Sequence, residues 1–146
     1  MENVAELVED LFCKDNKTAY AALLALEAES EHSDAVYCFF DRFAGMIEDG
    51  NSYIRTRGLV LISANAKWDT KNKIEKVLDA YLMHILDEKP ISARQCIKLL
   101  PNISKCKPEL AERIRNALKS ADPFIYNDNM QPLIIKDIAA ALKEIG

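Results

Sequence analysis

The stretch Ser52-Tyr53-Ile54-Arg55-Thr56-Arg57-Gly58-Leu59-Val60-Leu61-Ile62 decides how this chain is read. Ile54, Gly58, Leu61 and Ile62 recur at the 3.6-residue spacing of one helix face. Asn51 or Ser52, just before it, carries the side-chain oxygen that a helix N-terminus needs. Thirty-nine residues on, Ala93-Arg94 stands where Ile54-Arg55 stands, followed at the same intervals by Ile97 and Leu100. Ala19 with Leu23 and Leu26 lies 35 residues before Ile54, and Met130 with Ile134 lies 37 after Ala93. Only the last position of the series, Asp137, breaks the apolar rule. A helix-turn-helix unit of about 37 residues, used four times, is what a stacked α-solenoid requires.

Working outward, the same periodicity fills the rest of the chain. Val4, Leu7, Val8, Leu11 and Phe12 make a first stripe, and the polar break Lys14-Asp15-Asn16 separates it from the helix of Ala19. Ser33 can cap a third helix with Val36, Phe39, Phe40, Phe43 and Ile47, ending near Asp49-Gly50. Thr70 can cap a fifth with Ile74, Val77, Leu78, Tyr81, Leu82 and Ile85. Pro90 and Pro108 suit the first turns of the sixth and seventh, and Pro132 opens the last regular run, about one turn after that helix begins. The expectation is an all-α chain of eight helices with no strand. It forms a single domain, 1–146, with repeats at approximately 1–32, 33–69, 70–106 and 107–146.

The composition agrees. Hydrophobic residues make up 49% of the 146 and charged residues 29%, enough apolar side chains for a core and too few charges for a disordered acidic chain. No run of about 18 apolar residues is present to cross a bilayer. The acidic segment Met1–Asp10 lacks the basic start of a signal peptide. Cys13, Cys38, Cys96 and Cys106 are irregularly spaced, which fits reduced thiols in a cytoplasmic protein. A net charge of −4 argues mildly against a duplex nucleic-acid binder resting on a general basic field. That figure averages two unlike parts, since residues 1–50 carry −9 and residues 51–146 carry +5. A basic region sufficient for an acidic protein segment, or weakly for nucleic acid, survives inside the acidic chain, as does head-to-tail association of its ends.

In the two middle units an acidic residue precedes the arginine by six places, Asp49 before Arg55 and Glu88 before Arg94. This resembles the HEAT repeat, in which an acidic residue of the intra-repeat turn and an arginine of the second helix build a ladder between neighbouring units. The resemblance covers essentially the whole chain and implies a right-handed α-α superhelix. It makes Asp49, Arg55, Glu88 and Arg94 structural residues in preference to a phosphate clamp. Around Asn51 to Asp69 the sequence is also similar to small bacterial HEAT-like proteins, some of which carry a label tied to iron–sulfur assembly (SufBD). That likeness implies an accessory role in iron–sulfur or cofactor assembly as an alternative function, with Cys96 and Cys106 the residues it would involve.

In HEAT-like stacks the second helices line the concave face. The positions two, six and nine after each alignment point turn away from the buried stripe at 100° per residue. They are Ala21, Ala25 and Ala28; Thr56, Val60 and Ser63; Gln95, Leu99 and Asn102; and Pro132, Lys136 and Ala139. Arg57, Lys67, Lys98 and Lys136 run along or beside this small, weakly polar set. Thr56, Arg57, Val60, Lys67, Gln95, Lys98, Leu99 and Lys136 are therefore the candidate binding residues. The expected partner is a protein or peptide with an acidic segment, nucleic acid ranks second, and no membrane is involved. The plainer reading makes them the ordinary surface of a curved stack.

Trp68, the only tryptophan, falls at a helix–helix turn, where packing under its loop is favoured over an exposed anchor. His32 and His84 fall in different repeats without a recognised ligand spacing, and no Gly-rich phosphate loop occurs. Gly58 falls where the repeat needs a small residue for close helix contact. The expectation is a non-catalytic interaction module without a cofactor, with a DNA-repair-like HEAT protein as a further alternative.

Overall fold

The structure, a computed structural model, describes residues 3–146. Among the described residues eight α-helices carry the fold: α1 (Val4–Asp10), α2 (Asn16–His32), α3 (Phe40–Met46), α4 (Ser52–Ala64), α5 (Lys73–Leu82), α6 (Pro90–Cys106), α7 (Ala111–Ser120) and α8 (Gln131–Ile145). Short 3-10 turns stand at Tyr37–Phe39, Ala66–Trp68, Met83–Leu86, Pro108–Leu110 and Pro123–Ile125. No strand occurs among the described residues. The chain divides into two compact units, one reaching to Lys73 and the other spanning Ile74–Gly146.

Helix starts follow the local chemistry. Asn3, Asp15 and Asn51 accept the backbone N–H groups of Glu6, Lys17 and Tyr53, donors that the first turn of a helix leaves unpaired. Pro90 and Pro132 sit in first turns, where a missing N–H costs nothing. The third helix is shorter than its apolar stripe predicts. Val36 to Phe39 form a 3-10 approach, and the regular helix begins only at Phe40. The fifth begins at Lys73 rather than next to Thr70. Asn72 holds a positive φ of 53°, and the buried carboxylate of Asp69 accepts the Lys73 N–H at 2.8 Å.

In the first unit α1 packs on α2, α2 on α4 and α3 on α4. Val8, Leu11, Leu26, Phe40, Phe43, Ile47, Leu61 and Ile62 are enclosed between them, each worth about 1.5–3 kcal/mol on transfer from water. Gly58 allows the closest approach: a Cβ added there would lie 2.8 Å from Met46 Cβ and 2.9 Å from the Phe43 carbonyl oxygen. In the second unit α6 packs on α8, and α7 packs on both. Ile74, Leu78, Tyr81, Ile97, Leu100, Ile114, Leu118 and Ile134 form its core.

Candidate functional site

The candidate residues divide between the units, and they do not share one environment. On α4, Thr56 and Val60 lie half-buried on the stripe that also carries the exposed Tyr53. Arg57 departs from the expectation of a binding cation at the surface. It is only 7% exposed, and its guanidinium donates to the Leu11 carbonyl at 2.8 Å and to Asn16 Oδ1 at 3.2 Å. The last carbonyls of α1 have no partner within that helix, and the long arginine stem reaches from α4 to satisfy one. Burial pulls the Arg57 pKa below the ordinary arginine value. Arg57 is thus a structural residue that ties the end of α1 to α4.

Lys67 is exposed, but its ammonium is also engaged at a helix end. It donates to the Glu31 carbonyl at 3.1 Å, and it lies 5.8 Å from the centroid of the Trp68 ring. The Trp68 indole N–H donates to the Ser30 carbonyl at 2.7 Å, with the ring half-buried. Asn65, fully buried, donates through Nδ2 to Ser30 Oγ and the Leu61 carbonyl, while its Oδ1 has no hydrogen-bond partner. The segment Asn65-Ala66-Lys67-Trp68-Asp69 therefore closes the C-terminus of α2 on one side and starts α5 on the other. Tyr37 donates to Asp69 Oδ1 at 2.6 Å. Burial, with that carboxylate adding to it, pushes the Tyr37 phenol up to about 12.

Both arginines of the expected ladder are held by other groups. Arg55, buried, donates to the carbonyls of Asp49 and Gly50 at 3.0 and 3.1 Å, so it secures the turn before its own helix. Asp49 Oδ1 accepts the Asn51 N–H. Arg94 takes its carboxylate from another helix. Its Nε and Nη2 donate to Asp137 Oδ2 and Oδ1 at 2.6 and 3.4 Å, and the carboxylate side chain is only 8% exposed. The hydrogen bond to Asp137 holds the Arg94 pKa above its ordinary value, against the effect of burial. The carboxylate that Arg94 grips is Asp137, in the helix pair that follows, a residue the sequence reading did not name among those of the ladder. Asp137 breaks the apolar stripe of the last repeat because that position faces an arginine.

Gln95, Lys98 and Lys136 are exposed on the second unit, and Leu99 is half-buried. Lys105 and Lys143, which the positional count did not include, stand seven residues beyond Lys98 and Lys136 and are exposed on the same helix sides. The signal for them was the heptad spacing itself, two full helical turns. A second feature also escaped the sequence reading. His84 Nδ1 lies 2.7 Å from Asp87 Oδ2, and the buried Asp87 accepts the Lys89 N–H on Oδ1 and the Tyr126 hydroxyl on its carbonyl. This node fastens the turn before α6 to the turn before α8.

Among the described residues no group of three or more His, Cys, Asp or Glu side chains converges as a metal site. Cys96 is enclosed, its thiol against the Tyr81 carbonyl, and burial pushes its pKa up. Cys106 is half-buried, with Asn102 Oδ1 as its neighbour at 3.9 Å. No helix among the described residues is long and apolar enough to cross a membrane. No family model, no curated protein and no solved structure matches the chain.

Proposed function

We propose that this chain is a HEAT-like helical-repeat protein, a right-handed α-α superhelix of helix pairs working as a non-catalytic interaction module. It holds a peptide or protein segment along the outer sides of its second helices, which such a superhelix gathers on its concave face. The observation that carries this reading is the pairing of α6 with α8. Their buried sides and the Arg94–Asp137 bridge are consumed in packing, while Gln95, Lys98 and Lys136 are left to solvent. Rigid helices that present polar side chains over a secured core suit recognition by shape and charge. Protein is favoured over nucleic acid because the exposed cations here are lysines, and the arginine suited to planar phosphate contacts is committed to Asp137.

A photo-crosslinking residue placed at Gln95, in the cell, tests this against the same residue at Glu112 on α7. Both positions are exposed. Specific protein adducts from Gln95 and none from Glu112 are expected. Adducts from Glu112 alone, or none from either site, would overturn the reading.

A further inference from the structure

From the placement of four lysines on the second unit we infer that its α6–α8 face is a docking site for an acidic helix whose carboxylates recur every two turns. The inference rests on the proposed role as an interaction module and names the class of partner. Lys98 and Lys105 on α6, and Lys136 and Lys143 on α8, are all exposed, and none of them has an ion-pair partner among the described residues.

The Arg94–Asp137 bridge joins the two helices. Counted at 100° per residue, Lys98 and Lys105 lie about 160° and 140° round α6 from the buried Leu100. Lys136 and Lys143 lie about 160° and 180° round α8 from the buried Ile134. All four are therefore turned away from the side that each helix buries. Leu133 and Ala140, both exposed, lie between Asp137 and the lysines of α8, about 40° and 60° round from Asp137.

Charge complementarity chooses the occupant. The segment from Pro90 to Lys107 contains no acidic residue. On α8 there are two, Asp137, already held by Arg94, and the exposed Glu144 near the C-terminal end. Along each helix the lysines are separated by about 10.5 Å, seven residues at 1.5 Å, and packed helix axes stand about 8–10 Å apart. A helix with one glutamate per heptad repeats at the same interval, and its small apolar side chains meet Leu133 and Ala140. A nucleic acid would find no aromatic stacking platform on α6 or α8, neither of which contains Phe, Tyr or Trp.

The test uses the full chain and a fluorescent alanine-rich peptide of about 20 residues, long enough to be helical in water, with one glutamate per heptad. A control peptide of the same composition has its glutamates distributed round the helix. Anisotropy should show the heptad peptide binding several-fold more tightly, with affinity falling as salt rises. Each of Lys98→Ala, Lys105→Ala, Lys136→Ala and Lys143→Ala should weaken it about three-fold, while helical circular dichroism is unchanged. Equal binding of the two peptides, or indifference to all four substitutions, would sink the inference. So would a labelled oligonucleotide that binds more tightly through the same lysines. Failure of the peptide while Gln95 still gives protein adducts removes the acidic helix and leaves the interaction module standing. Heptad-dependent binding without adducts at Gln95 keeps the lysine face and removes the cellular role.

Discussion

Replacing Gly58 by alanine sets two effects of opposite sign against each other, and the structure decides between them. An interior helical glycine costs about 1 kcal/mol relative to alanine, so helix propensity alone predicts stabilisation. The new methyl would lie 2.8 Å from Met46 Cβ, 2.9 Å from the Phe43 carbonyl oxygen and 3.1 Å from Ile47 Cγ2. Carbon atoms pack best at about 3.5–4.0 Å. Two of these three neighbours are atoms that no side-chain rotation can move, so α3 itself must retreat from α4. Overpacking of this kind costs about 1–3 kcal/mol, and immobile neighbours place it at the upper end. The net expectation is a destabilisation of about 2 kcal/mol, which lowers the urea midpoint by about 1 M. Gly45→Ala is the matched control, because a Cβ there meets nothing within 4 Å, and it should stabilise by about 0.5–1 kcal/mol. Urea unfolding followed by circular dichroism measures both. If Gly58→Ala is as stable as Gly45→Ala, the close contact between α3 and α4 is not as described.

Three other outcomes follow from the same geometry. Arg57→Met should lose about 1.5–3 kcal/mol in urea unfolding, because the Leu11 carbonyl keeps its burial and loses its charged donor; an unchanged midpoint would return Arg57 to the list of surface binding residues. A double-mutant cycle on Arg94→Gln and Asp137→Asn should give a favourable coupling in urea unfolding, and a coupling of zero would count against the bridge. Burial raises Tyr37 and Tyr126 from an ordinary 10.0 to about 12, with Asp69 reinforcing the first and Asp87 the second. A raised phenol stabilises the fold while it stays protonated, so stability should hold below pH 10 and drain away between 10 and 12. Unfolding measured across that window should show a shallower loss for Tyr37→Phe than for the parent, and an identical slope would count against the buried Tyr37–Asp69 contact.

Much of the architecture was legible along the chain, for local reasons. The apolar spacing of Ile54, Gly58 and Leu61, repeated at Ala93, Ile97 and Leu100, marks helix faces whatever they pack on. Asn51 and Pro90 mark helix starts by their own chemistry. Less of the candidate site could be read. Gln95 and Lys136 stand exposed where the count of positions placed them, and so does Lys98 beside them, whereas Arg57, also named beside that set, is buried. At 100° per residue Arg57 lies only about 40° round α4 from the buried Leu61, so its position on the helix already turns it toward the core, and its charge had suggested the surface instead.

The sequence by itself determined that the chain is helical, where its turns fall, and that position 58 must be small. Periodicity, capping and volume act within a few residues of each other, so they survive without knowledge of the fold. Only the tertiary structure decided what each arginine holds. Arg57 takes the unpaired carbonyl of Leu11, 46 residues away, and Arg94 takes Asp137, 43 residues on. Those partners became available once packing brought one helix end, or one helix side, within reach of another.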